Sequence, residues 1–157
     1  MPSEKSRYML RNLEPEAPLD FDELRTELST LGARHLAELL WLRAQYDDIL
    51  RKSATVSIVL RLSKGDWDKA KKAIDYALHF PDYVRYTEDG HGLIIEEIKS
   101  ALDVLAAQNQ AEFALQIAQY AVEVGQKVAD NFEDDWEWTS SLEDLVEWIV
   151  ETTSKKD

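Results

Sequence analysis

Apolar residues recur along most of the chain at intervals of three and four, which is the spacing of an amphipathic α-helix. The pattern is clearest over residues 111–129, where several apolar positions are small and favour close approach of neighbouring helices. Six other segments with the same spacing are predicted to be helices; they cover about 20–31, 33–46, 49–63, 67–79, 93–108 and 141–153.

Residues typical of helix ends mark several of these boundaries. Asp20 and Glu23 have the spacing of a reciprocal capping box. Ser140 and Glu143 have the same spacing, which predicts that the last helix begins after an acidic aromatic loop. The Gly-Asp pair at 65–66 predicts a tight αα-hairpin, because glycine ends a helix in the left-handed conformation and aspartate caps the next helix.

The segment 55–62 is ambiguous. Its apolar residues alternate in a way that also suits a β-strand. We predict a helix here, because the neighbouring segments are helical and a lone strand would have no partner to pair with.

The predicted fold is all-α, with about seven helices forming stacked antiparallel hairpins. A TPR-like superhelix and an irregular bundle both fit the pattern. The chain of 157 residues contains five glycines and four prolines, fewer than a turn-rich β-fold would need. We predict a flexible N-terminal tether over 1–18, a single helical domain over 19–153 and a short tail over 154–157.

The residues that would indicate an enzyme or a metalloprotein are missing from the sequence. There is no cysteine, and the three histidines lack the spacing of a zinc site. No phosphate-binding loop, dinucleotide fingerprint or nucleophile elbow is present. We therefore expect no catalytic activity, no cofactor and no metal. The N-terminal residues do not resemble a signal peptide, and a cytoplasmic location without membrane contact is expected.

Charge is distributed unevenly over a chain whose net charge is −13. Seven basic and two acidic residues fall between Arg51 and Lys72, whereas nine acidic residues and no lysine or arginine fall between Asp130 and Glu151. The net charge argues against direct binding to nucleic acid. Both charged segments could simply be solvated, or the acidic one could dock on a basic partner.

The acidic aromatic loop contains the predicted contact residues. Carboxylates steer a basic partner towards the surface, and tryptophan is enriched at interface hot spots. The predicted set is Asp134, Asp135, Trp136, Glu137 and Trp138. The alternative is a solvated acidic turn whose tryptophans fold back onto the core.

Four segments resemble the helical region that follows the zinc finger in bacterial SWIM zinc-finger proteins. They are LAELLWLRAQYD (36–47), GDWDKAKKAIDYAL (65–78), IIEEIKSALDVLAAQNQAEFALQIAQYAVE (94–123) and LEDLVEWI (142–149). The zinc ligands of that family have no counterpart in this cysteine-free chain. The resemblance implies a TPR-like helical module for protein contacts, without the metal-binding part.

Three functions follow as hypotheses. The first is a non-enzymatic protein-binding scaffold whose acidic C-terminal surface takes a protein or peptide, with homo-oligomerisation left open. The second is an acidic protein that imitates nucleic-acid phosphate and inhibits a DNA-binding protein. The third is an enzyme with a small-molecule site near His91, Tyr83 and Tyr86.

Overall fold

The computed structural model describes residues 16–79, 91–131 and 136–155. All regular secondary structure in these residues is helical, which confirms the predicted all-α fold. The described helices are α1 (Phe21–Leu28), α2 (Ala33–Ala44), α3 (Asp48–Leu62), α4 (Trp67–Ala77), α5 (Gly92–Ala107), α6 (Ala111–Asn131) and α7 (Trp136–Lys155).

The chain divides into two compact units, 1–42 and 43–157, and the division falls within α2. The predicted single helical domain over 19–153 spans both units and stays a prediction. At the C-terminus the described helix continues to Lys155, which is beyond the start of the predicted tail. Most of the predicted tether, residues 1–15, lies outside the described residues.

In the first unit, α1 begins at the predicted capping box. The Asp20 carboxylate accepts a hydrogen bond from the backbone N–H of Glu23 at 2.8 Å, and the Glu23 carboxylate accepts one from the N–H of Asp20 at 3.3 Å. The helix ends at Leu28, earlier than predicted. The hydroxyls of Ser29 and Thr30 donate to backbone carbonyls one turn back, and such local bonds compete with further helix formation.

The second unit is a helical bundle in which α5 packs against α3, α6 and α7. The apolar residues of α5 lie on several sides of the helix, as expected for a helix in the middle of a bundle. The fully buried ones are Ile94, Ile95, Ile98, Ala101, Leu102 and Leu105. This helix therefore forms the centre of the hydrophobic core of the unit.

Helix α3 resolves the ambiguity of segment 55–62. Val56 and Leu60 are completely buried, whereas Ile58 and Leu62 are exposed. A strand with alternating faces would place all four residues on the same side. The four-residue interval between the two buried positions instead matches one face of a helix, so the predicted helix is confirmed.

The connection from α3 to α4 has the predicted hairpin turn. Gly65 adopts a φ of 87°, and the Asp66 side chain accepts a hydrogen bond from the N–H of Lys69 at 3.2 Å. Lys64 is also left-handed, with a φ of 44°, so the turn uses two consecutive residues with positive φ. Asp47 caps α3 in the same way, by accepting from the N–H of Leu50 at 3.0 Å.

Small residues bring α7 close to α5 and α6. A Cβ atom added at Gly125 of α6 would lie 2.5 Å from Leu142 Cδ2. A Cβ atom added at Gly92, the first residue of α5, would lie 2.7 Å from Ser141 Oγ. Both distances are shorter than a van der Waals contact, so a side chain at either position would displace the side chain of Leu142 or Ser141.

A polar and aromatic cluster joins α4 to α6. The Tyr120 hydroxyl donates to the carboxylate of Asp75, which also pairs with Lys71 Nζ at 3.2 Å. The Tyr120 ring meets Trp67 edge-on, with 5.5 Å between ring centroids. Trp67 is half-buried against the core, so it serves in packing.

Candidate functional site

Helix α7 begins at Trp136, five residues before the predicted start. The predicted capping box at Ser140 and Glu143 is therefore wrong, since both residues lie inside the helix. The earlier start has a packing reason. It places Trp138 one turn before Leu142, so that both side chains fall on the buried face of the helix.

Trp138 is a core residue, and this corrects its prediction as a contact residue. Its side chain is completely buried, and its indole Nε1–H donates to the backbone carbonyl of Gly125 at 3.0 Å. A buried tryptophan whose N–H has a partner cannot offer its ring to another protein without unfolding the contact. Of the two candidate tryptophans, only Trp136 remains a prediction; its side chain lies outside the described part of the structure.

The three predicted carboxylates have different outcomes. Glu137 is exposed in the first turn of α7, where a negative charge interacts favourably with the helix dipole. This carboxylate therefore has a local structural role that the predicted loop did not suggest. Asp134 and Asp135 lie outside the described residues, and their contact role stays a prediction.

The acidic segment continues along the outer side of α7. Glu143, Glu147 and Glu151 are exposed and follow one another at intervals of four. Val146 and Val150 lie next to this row, with exposed fractions of 40% and 60%. These five residues are called the acidic face below.

Sequence reasoning missed the two valines of the acidic face. The helical spacing of the last segment predicts that Leu142, Leu145, Val146 and Ile149 are buried, and for Val146 this prediction is wrong. The buried apolar residues are Trp138, Leu142, Leu145 and Trp148. Val146 is exposed because it lies about 100° around the helix from Leu145 and about 160° from Trp148. Helical spacing alone does not separate Val146 from the buried Leu142 one turn earlier, so no signal in the sequence identifies this stripe.

The three carboxylates of the acidic face have no cationic partner among the described ion pairs. Like charges four residues apart on a helix repel each other, which costs roughly 0.2–0.5 kcal/mol per pair. The arrangement thus carries a small energetic cost that a cationic partner would remove.

A groove of about 530 Å³ lies between α6 and α7 beside the acidic face. Its apolar lining includes Ala129, Leu142 and Val146, and its acidic lining includes Asp130 and Glu143. The groove therefore extends the acidic face with a concave surface of the same mixed chemistry. Such a surface accepts an aliphatic side chain and interacts favourably with a nearby cation.

The basic segment between Arg51 and Lys72 is not a single patch. Lys52 is buried, and its ammonium donates to the backbone carbonyl of His79 and lies 3.6 Å from Asp48. Burial lowers the pKa of Lys52, while Asp48 acts in the opposite direction.

Two other cations of this segment are also engaged within the unit. The Arg51 guanidinium donates to the backbone carbonyls of Ala44 and Gln45, at 3.1 and 3.0 Å. Hydrogen bonds to Asp75 and Tyr120 raise the pKa of Lys71. Arg61, Lys64, Lys69 and Lys72 of the segment remain exposed, and the expectation against nucleic-acid binding stays a prediction.

The described residues contain no group of three or more potential ligands that could hold a metal ion. His91 is buried at the start of α5, whereas His35 and His79 are exposed. Tyr83 and Tyr86, the proposed companions of His91 in a small-molecule site, lie outside the described residues. None of the described helices has the length and apolar content needed to cross a bilayer.

Comparison of the chain with protein-family models, with curated proteins and with solved structures finds no match. The resemblance of segments 36–47, 65–78, 94–123 and 142–149 to the helical region of SWIM zinc-finger proteins therefore stays a prediction.

Proposed function

We propose that the chain is a non-enzymatic scaffold for protein–protein contact, and that its acidic face binds a basic partner. The observation that carries the proposal is the arrangement on α7. Three exposed carboxylates without a described cationic partner lie beside two exposed valines on one helix. A helix face of this composition supplies both the steering charge and the apolar area that recognition requires.

The proposed partner is a protein segment that carries lysine or arginine next to aliphatic side chains, as a basic amphipathic helix does. Its cations would pair with Glu143, Glu147 and Glu151. Its aliphatic side chains would cover Val146 and Val150, and one of them would enter the α6–α7 groove. Burial of an anchor side chain in a pocket is a common source of affinity at interfaces.

The valines favour this partner over the alternative in which the chain imitates nucleic-acid phosphate. A phosphate mimic presents carboxylates to a site built for a polar backbone, and exposed valines contribute little there. On α7 the valines lie beside the row of carboxylates and are part of the same exposed surface. A partner that covers both kinds of side chain gains more from this face than a DNA-binding site would.

The charge of the whole chain also favours a cationic partner. A net charge of −13 attracts basic proteins over a distance set by the Debye length, about 8 Å at physiological ionic strength. Such attraction acts mainly on the association rate, which then falls as salt increases. Binding to the acidic face should therefore be fast and sensitive to salt.

Asp134, Asp135, Trp136 and Glu137 are proposed to extend the acidic face at the start of α7. Reversing Asp134, Asp135 and Glu137 to lysine should weaken association several-fold, mainly through the association rate. The substitution at Glu137 should also cost roughly 0.3–1 kcal/mol of stability, because it places a cation at a helix N-terminus. A melting curve of the triple variant separates this cost from the loss of binding.

The main test reverses the central carboxylates of the acidic face in Glu143→Lys/Glu147→Lys. The matched control is Asp68→Lys/Glu123→Lys, which changes the net charge equally at two exposed positions on α4 and α6. Partners are captured from native lysate with each variant and identified by mass spectrometry. Association with the purified partner is then measured at several salt concentrations.

The Glu143/Glu147 variant should lose the basic partner and show a weaker salt dependence, whereas the control should retain both. Equal binding by the two variants would show that only the net charge matters, and the acidic face would then have no specific role. The phosphate-mimic alternative would be favoured if the captured protein binds DNA and if added DNA displaces the chain from it.

A further inference from the structure

The first unit exposes an unusual amount of apolar surface. Neither α1 nor α2 contains a buried residue. The large apolar side chains that α1, α2 and their flanking residues expose are Leu19, Phe21, Leu24, Leu28, Leu31, Leu39, Leu40, Trp41 and Leu42. Phe21 is 91% exposed and Trp41 is 67% exposed.

Helix α2 is apolar around its whole circumference. Leu39, Leu40, Trp41 and Leu42 are consecutive, and at 3.6 residues per turn four consecutive residues point in all directions. A helix that is apolar on every side is normally buried in a core. In α2 each of these four side chains is exposed.

Neither helix has the length to be stable by itself. The two contain eight and twelve residues. Isolated helices shorter than about 12–15 residues are marginal in water, and tertiary packing normally stabilises them. We therefore expect the apolar side chains of the first unit to be buried against another protein surface when the protein functions.

The exposed apolar area matches what a dimer requires. A fully exposed aromatic side chain contributes about 150–250 Å² and a leucine roughly 100 Å². At their observed exposures, the side chains named above then amount to on the order of 700 Å². A stable interface buries about 800 Å² on each partner.

We infer that this apolar surface is a self-association interface, covered by α1 and α2 of a second copy of the chain. Together the two copies supply four helices, which is enough to build a small bundle with its own core. The cover is needed as soon as the chain folds, and a second copy is a partner of matching size and chemistry. In a two-fold dimer each contact forms twice, so the same surface serves both copies.

Charge favours one pairing of the helices over the other. Helix α1 contains three acidic residues and one arginine, whereas the two arginines of α2 are paired with Glu38 and Asp47, at 3.9 and 3.4 Å. Packing α1 of one copy against α2 of the other therefore brings the negative helix against a helix whose charges are balanced. Packing α1 on α1 would bring like charges together, which is unfavourable.

The test measures the mass of the full chain by sedimentation and light scattering over a wide range of concentration. We expect a dimer that dissociates only at the lowest concentrations. Phe21→Glu/Trp41→Glu should convert it to a monomer. The control Ile58→Glu/Leu62→Glu makes the same chemical change at two α3 residues that are 58% and 64% exposed, and it should leave the dimer intact.

A second measurement uses the absence of cysteine. Thr30→Cys gives the chain a single thiol, at the turn between α1 and α2, for donor and acceptor dyes. Mixing the two labelled samples should produce energy transfer, and adding Phe21→Glu/Trp41→Glu should abolish it. The inference is overturned if the parent chain is a monomer at every concentration, or if the α3 control dissociates the dimer as strongly as the α1–α2 variant does.

Discussion

Helices α5 and α2 have similar apolar content but opposite surroundings. Seven of the sixteen residues of α5 are buried, and the helix packs against three others. Helix α2 has four leucines and a tryptophan in twelve residues, and none of its residues is buried. The comparison shows that apolar composition makes a helix suitable for a core, but its neighbours decide whether the core forms.

The same contrast occurs within α7, whose two sides differ. Trp138 and Leu145 are completely buried on one side, while Val146 and Val150 are exposed on the other. The buried side contributes to the core of the second unit, and the exposed side is available for a partner. Substitutions of the buried apolar residues should therefore affect stability much more than substitutions of the exposed ones.

The largest effect is expected from Trp138→Ala. Removing a buried tryptophan typically costs about 3–5 kcal/mol in the free energy of unfolding, and the carbonyl of Gly125 would also lose its hydrogen-bond donor. Chemical denaturation measures this cost. Val150→Ala, on the exposed side of α7, should change the stability by less than about 0.5 kcal/mol. Similar losses for both variants would contradict the division of α7 into two faces.

Gly125→Ala should destabilise the chain by an intermediate amount. The added methyl group would lie 2.5 Å from Leu142, and overpacking of this kind costs roughly 1–3 kcal/mol. Alanine also favours the helix by roughly 0.5–1 kcal/mol, so the net loss should be smaller than that of Trp138→Ala. Thermal unfolding provides the measurement. Gly32→Ala is the control, since nothing lies within 4 Å of its added Cβ atom.

The smallest effect concerns the cluster between α4 and α6. Tyr120→Phe removes the hydrogen bond to Asp75 and should cost about 1 kcal/mol near neutral pH. The bond to the carboxylate and partial burial raise the pKa of Tyr120 above its ordinary value of 10.0. As the pH rises, the Tyr120 hydroxyl of the unfolded chain therefore loses its proton before that of the folded chain does. The contribution of this hydroxyl to the free energy of unfolding is complete below pH 10.0 and declines as the pH rises further.

Denaturation at a series of alkaline pH values tests the sign of this effect. The parent chain should lose stability above pH 10.0 more steeply than Tyr120→Phe. Tyr46→Phe, at an 87% exposed position, should follow the parent curve. Parallel curves for the parent and Tyr120→Phe would show that the Asp75 bond does not influence the titration.

Much of the fold could be predicted because its signals are local. Capping residues and turn glycines act over a few positions, so Asp20, Gly65 and Asp66 indicated their helix ends correctly. The ambiguous segment 55–62 was also assigned correctly, since a lone strand has no pairing partner. These outcomes depend on short-range physics that a sequence displays directly.

The candidate site was harder to predict because it depends on long-range packing. The Ser140–Glu143 spacing imitates a capping box, but the burial of Trp138 against Gly125 extends the helix past it. The exposure of Val146 depends on which side of α7 faces α5 and α6. No residue close in sequence carries that information, so the valines of the acidic face could be found only in the structure.

The comparison between the two units is tested most directly by hydrogen exchange of the native chain at a low and a high protein concentration. Amides of α5 and α7 should be strongly protected at both, since the core of the second unit does not depend on association. Amides of α1 and α2 should exchange quickly at the low concentration and become protected at the high one. Protection of α1 and α2 that does not change with concentration would contradict the account, because a second copy could then not be what covers them.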